Sequence, residues 1–248
     1  MKRMMHINLA AGDTAPLVLL PGSPERAVKI ASHFDDCEEK AYHREFRTFT
    51  GTLCGKPISV CSTGIGGPSM AIAVEELVQV GSSSFLRVGT CLSVSEDVGR
   101  GDLVLAQGAV RMEGVAEQYL PPEFPAVSDP LLLMKAEEAL QGKVHIGNCI
   151  TRSSYYTPFD GFSRPSGKRL KERWDEYVGG GAIVSDTDTA ILYIVASSLG
   201  VRASSLLVAT NPCNAKLPDI EDDPEDCEDI LIAAALESAK RILDGKEN

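Results

Sequence analysis

Arginine is the residue type whose placement in this chain asks for a chemical reason. Arg87 sits in "FLRVGT", inside a stretch that otherwise has the composition of a buried strand. A guanidinium there carries a heavy desolvation penalty unless it is paired or meets a ligand. Two readings stay open: an internal ion pair with a glutamate, or contact with a bound anion. Guanidinium groups suit phosphate because their fork of donors matches two oxygens at once. Gly22 follows the apolar run "LVLL" and precedes Pro24, a residue favoured in a first helical turn. Backbone N–H groups and the helix dipole at such a point can hold an anion, with Arg26 one turn further on. The same Gly-Ser-Pro turn also serves as a plain strand-to-helix connection. Arg44, in "YHREF", offers a third guanidinium, or a surface pair with Glu45. Three arginines, the glycine turn and Thr90 would form a phosphate cradle if the fold brings them together.

The elements that must position these residues alternate between short apolar runs and amphipathic ones. "PLVLLPG" reads as a strand with a turn, "PERAVKIASHF" as a helix beginning at Pro24, "PISVCSTG" as a strand, and "PSMAIAVEELVQVG" as a helix stopped by Gly81. "SFLRVGT", "DLVLAQGAV", "VHIGNCI" and "ASSLLVAT" read as further strands, with helices at roughly 130 to 140, 187 to 199 and 224 to 243. The pattern predicts an α/β fold with a largely buried, central mixed β-sheet flanked by helices. With 248 residues, 44% of them hydrophobic and 24% charged, one substantial core is expected, in a single domain over 1–248.

The net charge of −11 excludes a nucleic-acid or anionic-membrane surface, since such partners need a basic footprint. Any anion must therefore be met by local arginines. The seven cysteines are odd in number and have neither a CxxC pair nor metal-ligand spacing, which fits reduced thiols in a cytosolic protein. The opening "MKRMMHINLAAGDTAP" lacks the apolar core of a signal peptide, and no apolar run approaches the roughly 18 residues needed to span a bilayer. A soluble, cytoplasmic protein with no membrane partner is expected.

Taken together, "LPGSPERAVKIA", "HREF", "VCSTGIGGPSMAIAVEEL", "FLRVGT", "GDLVLAQGAVRMEG" and "PPEFPAVSD" resemble the uridine phosphorylases, a branch of the nucleoside phosphorylase family. The resemblance runs almost from end to end. It implies a mixed sheet flanked by helices, assembled as homodimers and often as a hexamer built from dimers. It also implies phosphate-dependent cleavage of a nucleoside to free base and pentose 1-phosphate, with inorganic phosphate as co-substrate and no cofactor. Residue by residue, it places Gly22, Arg26, Arg87 and Thr90 around phosphate, with Arg44 reaching in from the neighbouring subunit. His6 matches a histidine that crosses the dimer interface toward the ribose 5′-hydroxyl. Glu45, Ile65 and Ser69 match positions where some members hold a monovalent cation, potassium, between subunits; such oxygen ligands suit a hard cation.

The chain also departs from the family. Where the family carries Glu-Met-Glu to hold the ribose, this sequence has Asp186, Thr187 and Asp188 in "SDTDTAIL", each carboxylate withdrawn by one methylene. These aspartates are expected to grip the ribose and, with Arg87, to form the catalytic set; a role as helix caps is the plainer reading. The Gln-x-Arg that reads uracil is missing from "FDGFSRPSGKR", leaving Arg164 or Lys168 to restore the contact from another backbone position. Cys91 and Leu92 follow Thr90 where the family has a glycine two residues on, and Tyr155 matches an aromatic position packed against the nucleoside, so these three form the expected base pocket. Weaker discrimination for uridine than a typical uridine phosphorylase shows is expected, with either a modified base preferred or low activity on several nucleosides. "ATNPCN" replaces the purine branch's Ser-Asp pair.

The acidic run 219–229, eight carboxylates in eleven residues, is expected to start the last helix, with Asp223 as cap and Pro224 in the first turn; a metal site is the alternative. Two other functions compete with phosphorolysis: a nucleosidase that uses water, and a non-catalytic nucleoside-binding member. Phosphate-dependent release of base separates all three. Arg87→Ala is expected to change phosphate dependence more than the fold.

Overall fold

Period-two alternation divides the first strand between two apolar layers. In β1 (Leu17–Pro21), Val18 and Leu20 pack into one layer, while Leu17 and Leu19 pack into the other. The structure is a computed structural model that describes residues 3–213 and 225–245. From β1 the chain runs through α1 (Pro24–Ala31), β2 (Asp35–His43), β3 (Phe46–Leu53), β4 (Lys56–Cys61), α2 (Gly67–Gln79), β5 (Ser84–Ser93) and β6 (Leu103–Met112). It continues through β7 (Ala126–Val127), α3 (Pro130–Ala139), β8 (Val144–Arg152), α4 (Gly167–Gly179), β9 (Ala182–Asp186), α5 (Thr189–Leu199), β10 (Arg202–Asn211) and α6 (Glu225–Asp244).

The strands form one mixed sheet in the order β10-β6-β8-β9-β5-β1-β4-β3-β2, with β7 paired to β6. Because β10 also pairs with β5, the strands β5, β10, β6, β8 and β9 close into a ring. The strand β5 runs parallel to both β1 and β10, so the carboxyl ends of these three strands open at the same edge. Helices α2 and α5 cover one face, packing Met70, Leu77, Ile191 and Val195 with Phe85. Helices α1, α3 and α6 cover the other, packing Ile30, Leu132 and Leu231 with Leu86 and Val88. This is the expected α/β architecture, a single domain with helices on both faces of a central mixed sheet.

Elements that the apolar pattern did not announce have physical reasons for their silence. β2 is a charged edge strand, "DDCEEKAYH", in which only Ala41 is buried. An edge strand needs charge to deter pairing with other chains, which erases its apolar signature. Helix α4 buries only Gly167 and is laced by the i,i+4 pairs Lys168–Glu172 and Lys171–Asp175, with Trp174 packed on Phe162. Helix α5 begins at Thr189, leaving Asp188 at its cap position and outside the helix. The expected cap Asp223 and Pro224 lie outside the described residues. Of the acids that open α6, Glu228 turns inward to the buried Arg26 guanidinium, 3.1 Å away. No group of described residues could hold a metal through His, Cys, Asp and Glu clustering, and none of the described helices is long and apolar enough to cross a membrane. None of the seven cysteines is in a disulfide.

The segment before β1 is tied to α2 by Glu76. Its carboxylate accepts from the amides of Ile7 (2.8 Å) and His6 (3.0 Å) and meets the His6 ring Nδ1 at 2.7 Å. Burial pushes the Glu76 carboxyl up, but the Ile7 and His6 hydrogen bonds and the His6 ring outweigh it, and the group is held below its ordinary value. A depressed folded-state value means that the stabilisation is present above the unfolded glutamate range near 4.3 and is lost as pH falls through the folded value. Glu76→Gln is therefore expected to cost about 1–3 kcal/mol at neutral pH. Melts of both proteins across pH should show the difference shrinking as pH falls below the unfolded glutamate range near 4.3, and closing once pH is below the depressed folded value, where the parent carboxyl is itself protonated.

Candidate active site

The carboxyl edge of a parallel sheet collects loops whose backbone groups and side chains converge, and it is the usual place for a ligand in such folds. Here that edge holds a cavity of about 440 Å³. The turn after β1 supplies Gly22 and Ser23, and the first turn of α1 supplies Pro24 and Arg26. The end of β5 supplies Arg87, Gly89, Thr90, Cys91 and Leu92; the β4–α2 loop adds Gly64 and Ile65. The rest of the lining comes from Arg152 at the end of β8, Tyr155 and Phe159 beyond it, Ser185 and Asp186 at the end of β9, Thr187 and Asp188 beyond it, and Thr210 and Asn211 at the end of β10.

Arg87 stands at the centre of this arrangement. On β5 it shares the side-chain face of Phe85 and Gly89, and the missing side chain of Gly89 makes room for it: a Cβ there would lie 2.7 Å from the Arg87 guanidinium carbon. Its Nε donates to Asp186 Oδ2 (3.1 Å), and its Nη2 pairs with Asp188 Oδ2 (2.9 Å). The expectation of an internal glutamate partner is corrected to this pair of aspartates. Burial pulls the Arg87 proton affinity down, but the charges of Asp188 and Asp186 outweigh it and the net direction is upward. The remaining nitrogen, Nη1, is buried and has no hydrogen-bond partner among the described residues.

The two aspartates do different work. Asp186 spends both oxygens inside the protein, accepting from Arg87 Nε, the amide and hydroxyl of Thr189, the Thr151 hydroxyl and the Cys149 thiol. A carboxylate has about four lone-pair directions, so none is left for a ligand. The expected grip of Asp186 on a ribose is therefore corrected: this residue fixes Arg87 and the start of α5. Among the described residues Asp188 accepts from the Gly66 amide (2.7 Å), the Thr187 hydroxyl (2.8 Å) and Arg87, which leaves one direction open. The Gly66 amide reaches it from a backbone at φ 92°, a conformation that favours glycine. Burial raises the Asp188 carboxyl above its ordinary value despite Arg87 beside it.

Arg26 lines the cavity, but its Nε donates to Glu228 (3.1 Å) and its Nη1 lies 3.4 Å from the Val88 carbonyl. The start of α1 is less open than expected, because the Ser23 hydroxyl caps it by accepting from the Arg26 amide. Thr90 and Gly22 line the cavity as expected. Arg44 does not reach it: it occupies the β2–β3 turn at φ 57° and is exposed. His6 is likewise outside the cavity of its own chain, held by Glu76. Glu45 and Ile65 are at its rim, and Ser69 donates to Glu45 Oε1 (2.6 Å) and to the Thr63 carbonyl. That Ser69 hydrogen bond is the main cause holding the Glu45 carboxyl below its ordinary value.

The expected pocket residues Cys91, Leu92 and Tyr155 line this cavity together, with Tyr155 and Phe159 forming an aromatic wall. Burial pushes the thiols of Cys91 and Cys149 upward, so both stay protonated and neither is a nucleophile. Arg164 and Lys168 do not restore a base contact: Arg164 pairs with Asp160 and Lys168 with Glu172, both on the exposed surface. The guanidinium on this wall is Arg152, which sequence reasoning missed. Its signal was the same as that of Arg87, a charge following a buried run, but "VHIGNCI" ends at Ile150 in the apolar pattern and β8 continues two residues further.

The family model described as phosphorylase superfamily matches residues 16–244. A uridine phosphorylase from Treponema pallidum is 36% identical over 241 residues, covering 96% of this chain and 93% of that protein. A uridine phosphorylase from Thermococcus kodakarensis is 42% identical over 206 residues, 80% of this chain and 73% of that protein. A guanosine phosphorylase from Halorubrum lacusprofundi is 32% identical over 236 residues, with 92% and 93% covered. Likeness of this extent spans every strand that carries the cavity, and on it the chain belongs to the phosphorylase superfamily.

Proposed function

We propose that this protein is a nucleoside phosphorylase that cleaves a nucleoside with inorganic phosphate to give free base and pentose 1-phosphate. One observation carries the reading: Arg87 is locked by two aspartates at Nε and Nη2, while its buried Nη1 has no hydrogen-bond partner among the described residues. A buried donor left open is costly unless a ligand satisfies it, and a phosphate oxygen satisfies it with a charged hydrogen bond. A water-using nucleosidase has no use for such a group. Gly22, Arg26 and Thr90 complete the cradle within this chain.

In the reaction a phosphate oxygen forms the new bond to C1′ while the C1′–N bond breaks and its electron pair passes to the base. Positive charge spreads over C1′ and the ring oxygen in the transition state. Asp188, with its one open lone-pair direction, holds a ribose hydroxyl and sets negative charge beside that cation; Thr187 orients it. Asp186 is a positioning residue. Arg44 and His6 serve the cavity of a second subunit, so the working unit is a homodimer, alone or in a hexamer built from dimers. Glu45, Ile65 and Ser69 supply the carboxylate, carbonyl and hydroxyl that would hold potassium at that subunit boundary. The whole of 1–248 acts as one phosphorylase domain in the cytoplasm, and uridine, named in the descriptions of two relatives, is the first substrate to try.

The test is release of base from uridine, thymidine, inosine and adenosine with and without phosphate, combined with sedimentation at the assay concentration. Release that needs phosphate and accompanies a dimer or larger assembly is the expected result. Equal release without phosphate would mean hydrolysis, none at all a binding protein, and a fully active monomer would remove the roles given to Arg44 and His6.

A further inference from the structure

We propose that Arg152 is the residue that reads the base, selecting bases that present carbonyl oxygens over bases that present amino groups. The inference rests on the nucleoside phosphorylase reading of the cavity and adds the substrate class. Arg152 ends β8, is 5% exposed and lines the cavity. Its Nη1 donates to the Ser185 hydroxyl (2.6 Å) and lies 3.4 Å from the Asp186 carbonyl. Its Nε is buried without a hydrogen-bond partner among the described residues. The guanidinium carbon lies 5.8 Å from the ring centroids of both Tyr155 and Phe159, which hold it over an aromatic floor.

This placement separates two tasks around a single residue. Arg87 binds the Asp186 carboxylate, whereas Arg152 approaches the Asp186 main-chain carbonyl from β8. One guanidinium therefore serves the phosphate side of the cavity and the other the aromatic side, where a base stacks. Leu92 and Cys91 on that side give shape but little polar readout. Burial pulls the Arg152 proton affinity down, yet arginine keeps its charge across the ordinary pH range.

A guanidinium only donates hydrogen bonds. It accepts a base edge with carbonyl oxygens and opposes an edge whose amino group also donates, and a site built this way discriminates strongly because the wrong ligand leaves a buried group unpaired. The same contact grows during reaction. As the C1′–N bond breaks, its electron pair enters the base and part of the charge reaches the carbonyl oxygen, which a desolvated cation stabilises without transferring a proton.

The experiment compares the parent with Arg152→Met, Arg152→Lys and the surface variant Arg164→Ala. Calorimetry with uracil against cytosine, and hypoxanthine against adenine, reads base binding without turnover. Values of kcat/KM for uridine, cytidine, inosine and adenosine at saturating phosphate read the reaction. The parent is expected to prefer the oxo member of each pair by about ten- to a hundredfold, the worth of one charged hydrogen bond. Arg152→Met should abolish that preference with the phosphate KM within about twofold of the parent, Arg152→Lys should keep part of it, and Arg164→Ala should change nothing. Equal binding of oxo and amino bases by the parent overturns the proposal, as does an Arg152→Met protein that keeps the preference or loses both members equally. If Arg152→Met melts out, the parent's preference and its weakening in Arg152→Lys decide. Selective binding of oxo bases without phosphate-dependent turnover would reject phosphorolysis and keep Arg152, whereas phosphate-dependent turnover without base preference would do the reverse.

Discussion

Arg87→Met is expected to remove phosphate-dependent activity by a hundredfold or more and, at the same time, to destabilise the fold by about 3–5 kcal/mol at neutral pH. The activity loss follows from the open Nη1, the nitrogen of that guanidinium with no hydrogen-bond partner among the described residues. The stability loss follows from what remains behind. Asp186 and Asp188 are both buried, and removing the cation between them leaves two like charges in a low dielectric. The expectation that Arg87→Ala changes phosphate use more than the fold is revised accordingly, since ion pair and ligand contact belong to one side chain. The sign of the pH dependence distinguishes this account. Burial already raises the Asp188 carboxyl, and without Arg87 it rises further. A folded-state value above the unfolded one contributes stability that is present at low pH and lost as pH rises through the folded value. The deficit in Tm should therefore be smaller near pH 5 than near pH 8. A pH-independent deficit would show that lost packing is the cause, and unchanged phosphate kinetics would remove Arg87 from the site.

Asp186→Asn is expected to be comparably severe while touching no substrate. The amide keeps the shape of the carboxylate but places a donor among the Arg87, Thr189, Thr151 and Cys149 groups that all donate to it. Breaking the buried pair costs about 3–5 kcal/mol. In a domain of this size, that corresponds to a fall in Tm of roughly 6–20 °C. Kinetically, the variant should lose kcat through a misplaced Arg87, whereas Asp188→Asn should lose less stability and show its defect with the ribose. Melting curves and steady-state kinetics on the same preparations decide it. An Asp186→Asn protein that melts like the parent would mean that the carboxylate is not the hub of the site.

The elements with strong apolar periodicity were legible in the residues alone. β1, β4, β5, β6, β8 and β10 carry their sheet membership in runs such as "LVLL" and "SSLLVAT", and the alternation of these runs with amphipathic helices was enough for the α/β class. β2 and α4 were not legible, because a charged edge strand and a helix laced by surface ion pairs bury too little for a pattern to form. The candidate site was legible in the same uneven way. A buried-strand context marks Arg87 as a charge in need of a partner, and that is a local property. Its partner is not local: Asp186 lies 99 residues along the chain, and Glu228 meets Arg26 across 202. The composition of either segment says only that acids are present. Register and crossing of strands select which acid reaches which arginine, and desolvation then makes the choice binding, since an unpaired buried charge costs more than the pair. For the same reason sequence could name Asp186 and Asp188 together as ribose ligands, while only the tertiary arrangement assigned one carboxylate to the protein, left the other a direction to spare, and brought Arg152 rather than Arg164 to the aromatic wall.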